Sequence, residues 1–238
     1  VTGDYNTAVG YQAGIGITNQ NYNTTIGYQA GLSGAANSTI VGANIVQNAA
    51  GYTNATALGY GTVLDGSNRV RLGNNAVTSI GGYAGWTTLP SDARYKRDVR
   101  EDESGLDFIL KLRPVTYHVD VARIVQDIGE DTTLDSLGQR IPREQPEEIL
   151  QARREKETIR YTGFIAQEVD SAAKAVGYDF SGVDKVTDSD RMLGLRYAEF
   201  VVPLVKAVQE QQMLIDEQRV LIQQLLERLN TIESSIAE

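Results

Sequence analysis

Ser91 and Lys96 are the residues whose types and spacing could do chemistry on a peptide bond, within the string Ser91-Asp92-Ala93-Arg94-Tyr95-Lys96. A serine hydroxyl is a weak nucleophile until a neighbour takes its proton, and the usual bases are a histidine or a lysine kept neutral by burial. Lys96 lies five residues on, flanked by Arg94 and Arg97, whose like charge lowers the pKa of an ammonium. The chain has one histidine, His118, on an expected strand over 114–121, so a Ser/His/Asp triad built on it stays open beside Lys96. Spacing alone is weak evidence, since serines and lysines fall five apart often by chance. Pro90, just before the serine, holds the backbone extended and keeps a helix out of the junction, which leaves the bond accessible. The Asp184, Asp188 and Asp190 cluster lacks the glycine and closing glutamate of an EF-hand loop and reads as a polar turn; no metal and no cofactor are expected.

The string stands where the chain changes material. Residues 1–90 form a Gly/Asn/Tyr-rich array with four charged side chains, Asp4, Asp65, Arg69 and Arg71, which cancel. Downstream, 20 Lys/Arg face 29 Asp/Glu and carry the whole net charge of -9. That acidic balance repels phosphate backbones and anionic lipid, so no nucleic acid is expected as a partner. No apolar run reaches about 18 residues and no signal peptide opens the chain, so no membrane insertion is expected. With no cysteine, stability rests on packing or association. Val1 is not a natural start, and the chain reads as the C-terminal piece of a longer protein.

Five short patterns recur ahead of the junction: Asn6-Thr7-Ala8-Val9-Gly10, Asn23-Thr24-Thr25-Ile26-Gly27, Asn37-Ser38-Thr39-Ile40-Val41-Gly42, Asn54-Ala55-Thr56-Ala57-Leu58-Gly59 and Asn68-Arg69-Val70-Arg71-Leu72-Gly73. Their asparagines lie 17, 14, 17 and 14 residues apart. A period of this length predicts one solenoid coil per repeat, each burying its apolar residues against the next. Each unit offers a β-branched strand, an Asn for the turn and a Gly for positive φ. A coil of about 15 residues has little interior, so neighbouring chains are expected to supply the missing wall. The repeats resemble the left-handed β-roll heads of trimeric autotransporter adhesins, with which they share this rhythm and the Gly-Tyr-Gln-Ala-Gly phrases at Gly10 to Gly14 and Gly27 to Gly31. Seven tyrosines fall here, Tyr5, Tyr11, Tyr22, Tyr28, Tyr52, Tyr60 and Tyr83, and are expected to stack between coils. Rings set among Asn, Gln and Thr would also suit a cell-surface glycan or protein receptor. The sequons at Asn23, Asn37 and Asn54 are by-products of the repeat.

Beyond the junction, Ser-Asp-x-Arg-x-Lys-x-x-Val is followed by Leu106 to Pro114, by Thr162-Gly163-Phe164-Ile165-Ala166-Gln167-Glu168-Val169 and by Leu195-x-Tyr197-x-x-Phe200. In this ordered set, residues 91–238 resemble the endosialidase-type intramolecular chaperone domain that ends many phage tailspikes and tail fibres and some bacterial surface fibres. The resemblance implies an obligate homotrimer that helps three chains fold into an intertwined fibre and, in many members, releases itself by autoproteolysis as a serine peptidase. Carried over by position, it makes Ser91 the nucleophile, Lys96 the base and Pro90-Ser91 the cleaved bond, with Asp92 and Arg94 shaping the site. The implied reaction is attack of the Ser91 hydroxyl on the Pro90 carbonyl, giving an ester that water hydrolyses, once and in cis. The stretch between Val121 and Arg160 departs from the compact pattern, with Asp127, Glu130, Asp131 and Asp135, then Pro142 and Pro146, then a helix-like run from Glu147 to Glu157. It is either an arm of the kind that embraces upstream β-structure in this family or a solvated loop.

From Val201 the apolar spacing becomes 3-4-3-4, with Val201, Val208, Ile215, Ile222, Leu229 and Ile236 at a and Leu204, Gln211, Gln218, Leu225 and Ile232 at d. β-Branched residues dominate a, while Leu and Ile share d with two glutamines that fix register and stoichiometry; three strands are expected, roughly 54 Å long at 1.5 Å per residue. The expected trimer core is Val208, Gln211, Ile215, Gln218, Ile222, Leu225 and Leu229. The fold class is thus mixed: an all-β trimeric roll over 1–75, a Gly-rich connector over 76–90, an α+β chaperone domain over 91–200 and a trimeric coiled coil over 201–238. The expected setting is a virion tail fibre or a bacterial cell-surface fibre. The alternative is a receptor-binding adhesin tip on 1–90, with the chaperone retained uncut as a trimeric base. A glycan-degrading enzyme is disfavoured, because 1–90 hold two acids and no histidine, too few for paired carboxylates. A membrane-tethered transcription factor is disfavoured by the missing transmembrane helix and basic region.

Overall fold

Five three-residue strands stack in parallel at the start of the chain: β1 (Thr7–Val9), β2 (Thr24–Ile26), β3 (Thr39–Val41), then, after the short β4 (Val46–Gln47), β5 (Thr56–Leu58) and, after β6 (Val63–Leu64), β7 (Val70–Leu72). The structure, a computed structural model of one chain, describes residues 3–31, 33–134, 139–185 and 192–236. The register joins Thr7, Thr24, Thr39, Thr56 and Val70 in one column, and β4 pairs with β6 on a second wall. This is a parallel β-solenoid, one repeat per coil.

Two residues before each strand the backbone turns left-handed, at Tyr5, Tyr22, Asn37, Asn54 and Asn68, with φ between 52 and 61°. The asparagine rhythm therefore slips by one against the coils. Asn37, Asn54 and Asn68 occupy the turn, whereas Asn6 and Asn23 sit one place later and bond to each other through their side chains at 3.1 Å. The strands after Asn23 and Asn37 are accordingly 15 residues apart, from Thr24 to Thr39. Glycine closes each strand for a steric reason: a Cβ on Gly27 would lie 2.0 Å from the Gly42 carbonyl oxygen, and one on Gly42 would lie 2.2 Å from that of Gly59. Tyr5 stacks on Tyr22 at 5.0 Å and Tyr11 on Tyr28 at 5.5 Å, the inter-coil stacking expected of repeat tyrosines.

The interior of the coils corrects the sequence reading. Mid-strand Thr25, Ile40 and Ala57 point inward and are buried, together with Asn23, Ser38 and Leu64. The most regular apolar position of the repeat, Val9, Ile26, Val41, Leu58 and Leu72, points outward and stays 36–57% exposed. Alternation along a strand sends neighbours to opposite faces, and a coil this narrow has room only for the central side chain.

The chain divides into two compact units, one formed by the described residues of Val1–Gly85, Thr116–Thr162 and Val186–Met192, the other by Trp86–Val115, Gly163–Lys185 and Leu193–Glu238. α1 (Leu106–Ile109) belongs to the second unit, and β8 (Val115–Tyr117), a shorter strand than expected that ends before His118, leads back into the first. In the first unit, α2 (Val121–Ile128) starts on an Asp120 cap and stops at left-handed Gly129. The antiparallel pair β9 (Thr132–Leu134) and β10 (Arg140–Pro142) follows, then α3 (Glu147–Glu157), entered through Pro146. Proline needs no amide partner at a helix entrance, and Glu147 and Glu148 in the first turn suit the helix dipole. The described residues of the 121–160 stretch, read as an arm or a solvated loop, form α2, the β9–β10 pair and α3, packed on the solenoid. Asp135 lies outside the described residues.

β11 (Tyr161–Gly163) carries the chain from the first unit into the second, which holds α4 (Ala166–Ala175), β12 (Val183–Lys185), β13 (Leu193–Leu195) and α5 (Val201–Ile236). Its core is aromatic: Phe180 lies 5.0 Å from Phe108 and 4.8 Å from Phe200, and Phe164 stacks on Phe200 at 5.3 Å, ring centre to ring centre. The Phe164 and Phe200 motifs of the sequence are therefore packing residues. α1 docks on the first turns of α5, where Pro203 and Ala207 are buried and Glu210 Oε2 accepts from the Leu106 amide at 2.7 Å. Gly105 permits this approach, since a Cβ there would meet Glu210 Oε2 at 2.5 Å and the Ala207 amide at 2.9 Å. The a and d residues lie off this face. Val208, Ile215, Ile222, Leu225 and Leu229 are exposed along the rod, as are Gln211 and Gln218. The side chain of Ile236 lies outside the described residues.

Candidate functional site

The junction is a short turn held by two of its own side chains. Asp92 caps the 3-10 turn Ala93–Tyr95, its Oδ1 accepting from the Arg94 amide at 2.9 Å. The Arg94 guanidinium then folds back on the same carboxylate, with Nη2 donating to Oδ2 at 2.8 Å and Nε to Oδ1 at 3.1 Å. That side-chain bond, and after it the amide of Arg94, holds the Asp92 carboxyl below its ordinary range. The Lys96 amide closes the turn on the Ala93 carbonyl at 3.1 Å. Ser91 and Lys96 thus bracket a turn that Asp92 and Arg94 fix. Every residue from Val77 to Glu103 is solvent-exposed in the single chain, Pro90, Ser91 and Lys96 included.

The remaining candidates fall elsewhere. His118 donates through Nδ1 to the Glu157 carbonyl at 3.0 Å. Asp184 accepts from Arg196 Nη2 at 3.0 Å, and Asp188 and Asp190 lie outside the described residues. Among the described residues no cluster of His, Cys, Asp and Glu could hold a metal ion, and no helix is long and apolar enough to cross a membrane.

A second constellation lies where the arm meets the last coil. Glu130 and Arg153, side chains 1% and 9% exposed, form an ion pair of 2.7 Å. Arg153 also forks onto Asp131 at 2.8 and 2.7 Å, and Gln145 adds a donor to Asp131 at 2.6 Å. The solenoid supplies the other donors: Asn75 gives Glu130 Oε2 its side-chain amide at 2.6 Å and its backbone amide at 3.2 Å. Farther along the coils, Arg143 lies 5.3 Å over the Tyr60 ring and donates to the Asn44 carbonyl at 3.2 Å. Tyr60 donates to Gln145 at 3.2 Å, Thr133 to Gln29 at 3.2 Å, and Lys156 to the Val77 carbonyl at 2.9 Å. Burial works against the Asp131 charge, but the bonds and attraction of Arg153, with Gln145 and Arg143, outweigh it and hold that carboxyl below its ordinary range. The bond from Asp131, followed by the pull of Glu130, holds Arg153 firmly charged against its burial. Burial lowers the pKa of Arg143 and of Lys156.

The sequence named Glu130 and Asp131 as part of an acidic stretch but did not single out Arg143, Arg153 or Asn75. The available signal was Arg143 and Arg153 in a segment read as either an arm or a solvated loop.

Residues 91–178 match the family described as chaperone of endosialidase, directly after the β-solenoid. The matched span includes the junction turn and the whole arm, and stops short of Leu195, Tyr197 and Phe200. The match supports an intramolecular chaperone role in a phage-type fibre. No curated protein and no solved structure matches the chain.

Proposed function

We propose that this chain is a segment of a homotrimeric fibre in which residues 91–238 act as an intramolecular chaperone for the upstream β-structure and then cut the chain at Pro90–Ser91. The observation that carries the reading is a pair of apolar stripes that one chain leaves uncovered: the column Val9, Ile26, Val41, Leu58 and Leu72 on the solenoid and the a/d seam of α5. A repeat that places its most regular apolar side chain on the outside needs an outer wall, and a second and third copy supply one by symmetry. The seam, with Gln211 and Gln218 in its core, sets the count at three.

In the cut, Ser91 Oγ attacks the Pro90 carbonyl carbon as the Lys96 amine takes the hydroxyl proton. The tetrahedral centre collapses by breaking the C–N bond, the Ser91 nitrogen receives the proton, and an ester joins Pro90 to Ser91 Oγ. Water then hydrolyses the ester, leaving a carboxylate on Pro90 and restoring the serine hydroxyl. Attack also needs the Ser91 hydroxyl, the Lys96 amine and the Pro90 carbonyl held in one fixed geometry. Because the whole junction is exposed in one chain, the reaction waits until assembly covers it, so cutting reports completed trimerisation.

Intact-mass spectrometry of the wild type beside Ser91→Ala and Lys96→Ala tests the chemistry: the wild type separates at Pro90–Ser91 and neither variant does. Sedimentation tests the assembly, with three times the 26.0 kDa of one chain as the expected mass. A stable lone protomer at micromolar concentration would overturn both parts.

A second reading rests on the stacked pairs Tyr5–Tyr22 and Tyr11–Tyr28, which stay 49–74% exposed. Exposed rings beside the bonded amides of Gln12 and Gln29 suit a cell-surface glycan or protein, with the chaperone kept as a base. Binding of the full trimer on a glycan array, lost in Tyr5→Ala and Tyr11→Ala, would favour it.

A further inference from the structure

The bond that the junction chemistry would break does not separate the two compact units. The unit that holds the solenoid contains residues from both sides of it, Val1–Gly85 and Thr116–Thr162. Every residue from Val77 to Glu103 is exposed, so breaking the Pro90–Ser91 bond removes a tether and leaves the contacts of that unit in place, Lys156 on the Val77 carbonyl included. What joins the two sides is Asn75, which donates twice to the Glu130 carboxylate that Arg153 pairs with at 2.7 Å from within the arm. Arg143 on the Asn44 carbonyl and Lys156 on the Val77 carbonyl lengthen the contact along the solenoid.

We infer that cutting at Pro90–Ser91 leaves the C-terminal fragment docked on its own solenoid, and that release requires opening the clamp formed by Asn75, Glu130 and Arg153. The arm is a binding surface whose partner is residues 1–85 of the same chain. It recognises the final coil through the two Asn75 donors, which meet a carboxylate that Arg153 holds in place. A buried pair of this kind is strong in breaking rather than in making: removing one member strands the other without water. The docked state therefore persists while both charges and the Asn75 donors are in place. The inference rests on the proposed cut only for its biological setting, because the surface exists in the uncut chain.

The test separates the two. In the full-length Ser91→Ala chain, residues 81–85 are replaced by the recognition sequence of a site-specific protease, the trimer is cut there, and the products are run on size exclusion at neutral pH. The expected result is co-elution of both fragments. Arg153→Met and Glu130→Leu are expected to weaken retention by roughly 100-fold or more, so that the fragments elute apart. Lys156→Ala, which loses one contact at the edge, is expected to weaken it only a few-fold and guards against reading misfolding as release. Fragments that part with the clamp intact overturn the inference. So does co-elution that survives Arg153→Met and Glu130→Leu, since other contacts would then hold the fragments. A wild type that never cuts itself removes the proposed peptidase reaction and leaves this result standing.

Discussion

Leu58 offers a direct test of the outward column. Its side chain stands on the outside of the fourth coil, 39% exposed, while its neighbour Ala57 fills the interior. Fully burying a leucine is worth about 1.5–3 kcal/mol, so covering the part still exposed is worth about 1 kcal/mol per copy. Three-fold symmetry triples that to about 3 kcal/mol per trimer, or roughly 100-fold in the association constant. Leu58→Ser removes this term and leaves the coil interior untouched. Leu58→Asp goes further, because it sets three carboxylates into a desolvated contact and adds their mutual repulsion. Sedimentation velocity over a dilution series is the assay, with far-UV circular dichroism to show that the coils persist. The expected order of trimer stability is wild type, then Leu58→Ser, then Leu58→Asp, with unchanged β signal in each. A Leu58→Asp trimer that dissociates at the wild-type concentration would refute the symmetric outer wall, since the column would then face water in the assembly.

Three further perturbations read other contacts. Gly42→Ala is expected to abolish solenoid folding, because the new Cβ would sit 2.2 Å from the Gly59 carbonyl oxygen at φ +148°; loss of β signal and of expression as soluble protein checks it. Gly105→Val should detach α1 from α5 and cost about 2 kcal/mol or more, through overpacking against the Ala207 amide and loss of the Glu210 bond, read from the urea midpoint. Acid should loosen the arm: the Asp131 carboxyl is held below its ordinary value of 3.8, so its contribution is complete above that pH and is lost as pH falls below it. In the protease-cut Ser91→Ala chain, retention of the fragments is expected to be full at about pH 5 and to weaken progressively as pH falls below 3.8, and weakening that begins near neutrality would contradict the linkage.

Local periodicity carried the parts of this fold that local periodicity can encode. The run from Glu147 to Glu157 is α3 with the same ends, and the heptad seam beginning at Val201 opens α5. The coil count is right because each coil needs its own strand and its own glycine. The asparagine register failed by one residue because Tyr5 and Tyr22 take the left-handed turn that Asn37, Asn54 and Asn68 take in the later coils. That turn is set by stacking of a ring on the next coil as well as by the tolerance of asparagine for positive φ. The direction of Ile26 and Val41 was misread because apolar character does not say which face of a two-sided strand is inside. Only the size of the coil decides that. The Glu130–Asn75 contact spans 55 residues, and no spacing rule reaches so far. Ser91 and Lys96 were chosen from residue type and position, and the structure places them at either end of the exposed Asp92–Arg94 turn.

A parallel solenoid poses a folding problem that the placement of the clamp addresses. Each strand is two or three residues long and gains its hydrogen bonds only from the coil before and the coil after, as in the Gly59 amide to Val41 and the Gly73 amide to Leu58, at 2.9 and 2.8 Å. Closing a coil costs loop entropy before any of these bonds forms, so the early coils are the expensive ones and parallel stacks fold slowly. Asn75 follows the last strand by three residues, so its two donors reach Glu130 only when β7 is in register on β5. An arm that buries Glu130 and Arg153 without Asn75 would leave a carboxylate short of partners in a dry site, which makes partial docking unfavourable. The clamp therefore favours the finished stack over its incomplete forms, and it does so at the end of the solenoid nearest the chaperone in sequence. Contacts at Asn44 and Gln29 extend the same preference back along the coils. A template of this kind lowers the cost of propagation without contributing a strand of its own, and its contacts to the coils, at Asn75, Asn44 and Gln29, do not depend on the Pro90–Ser91 bond.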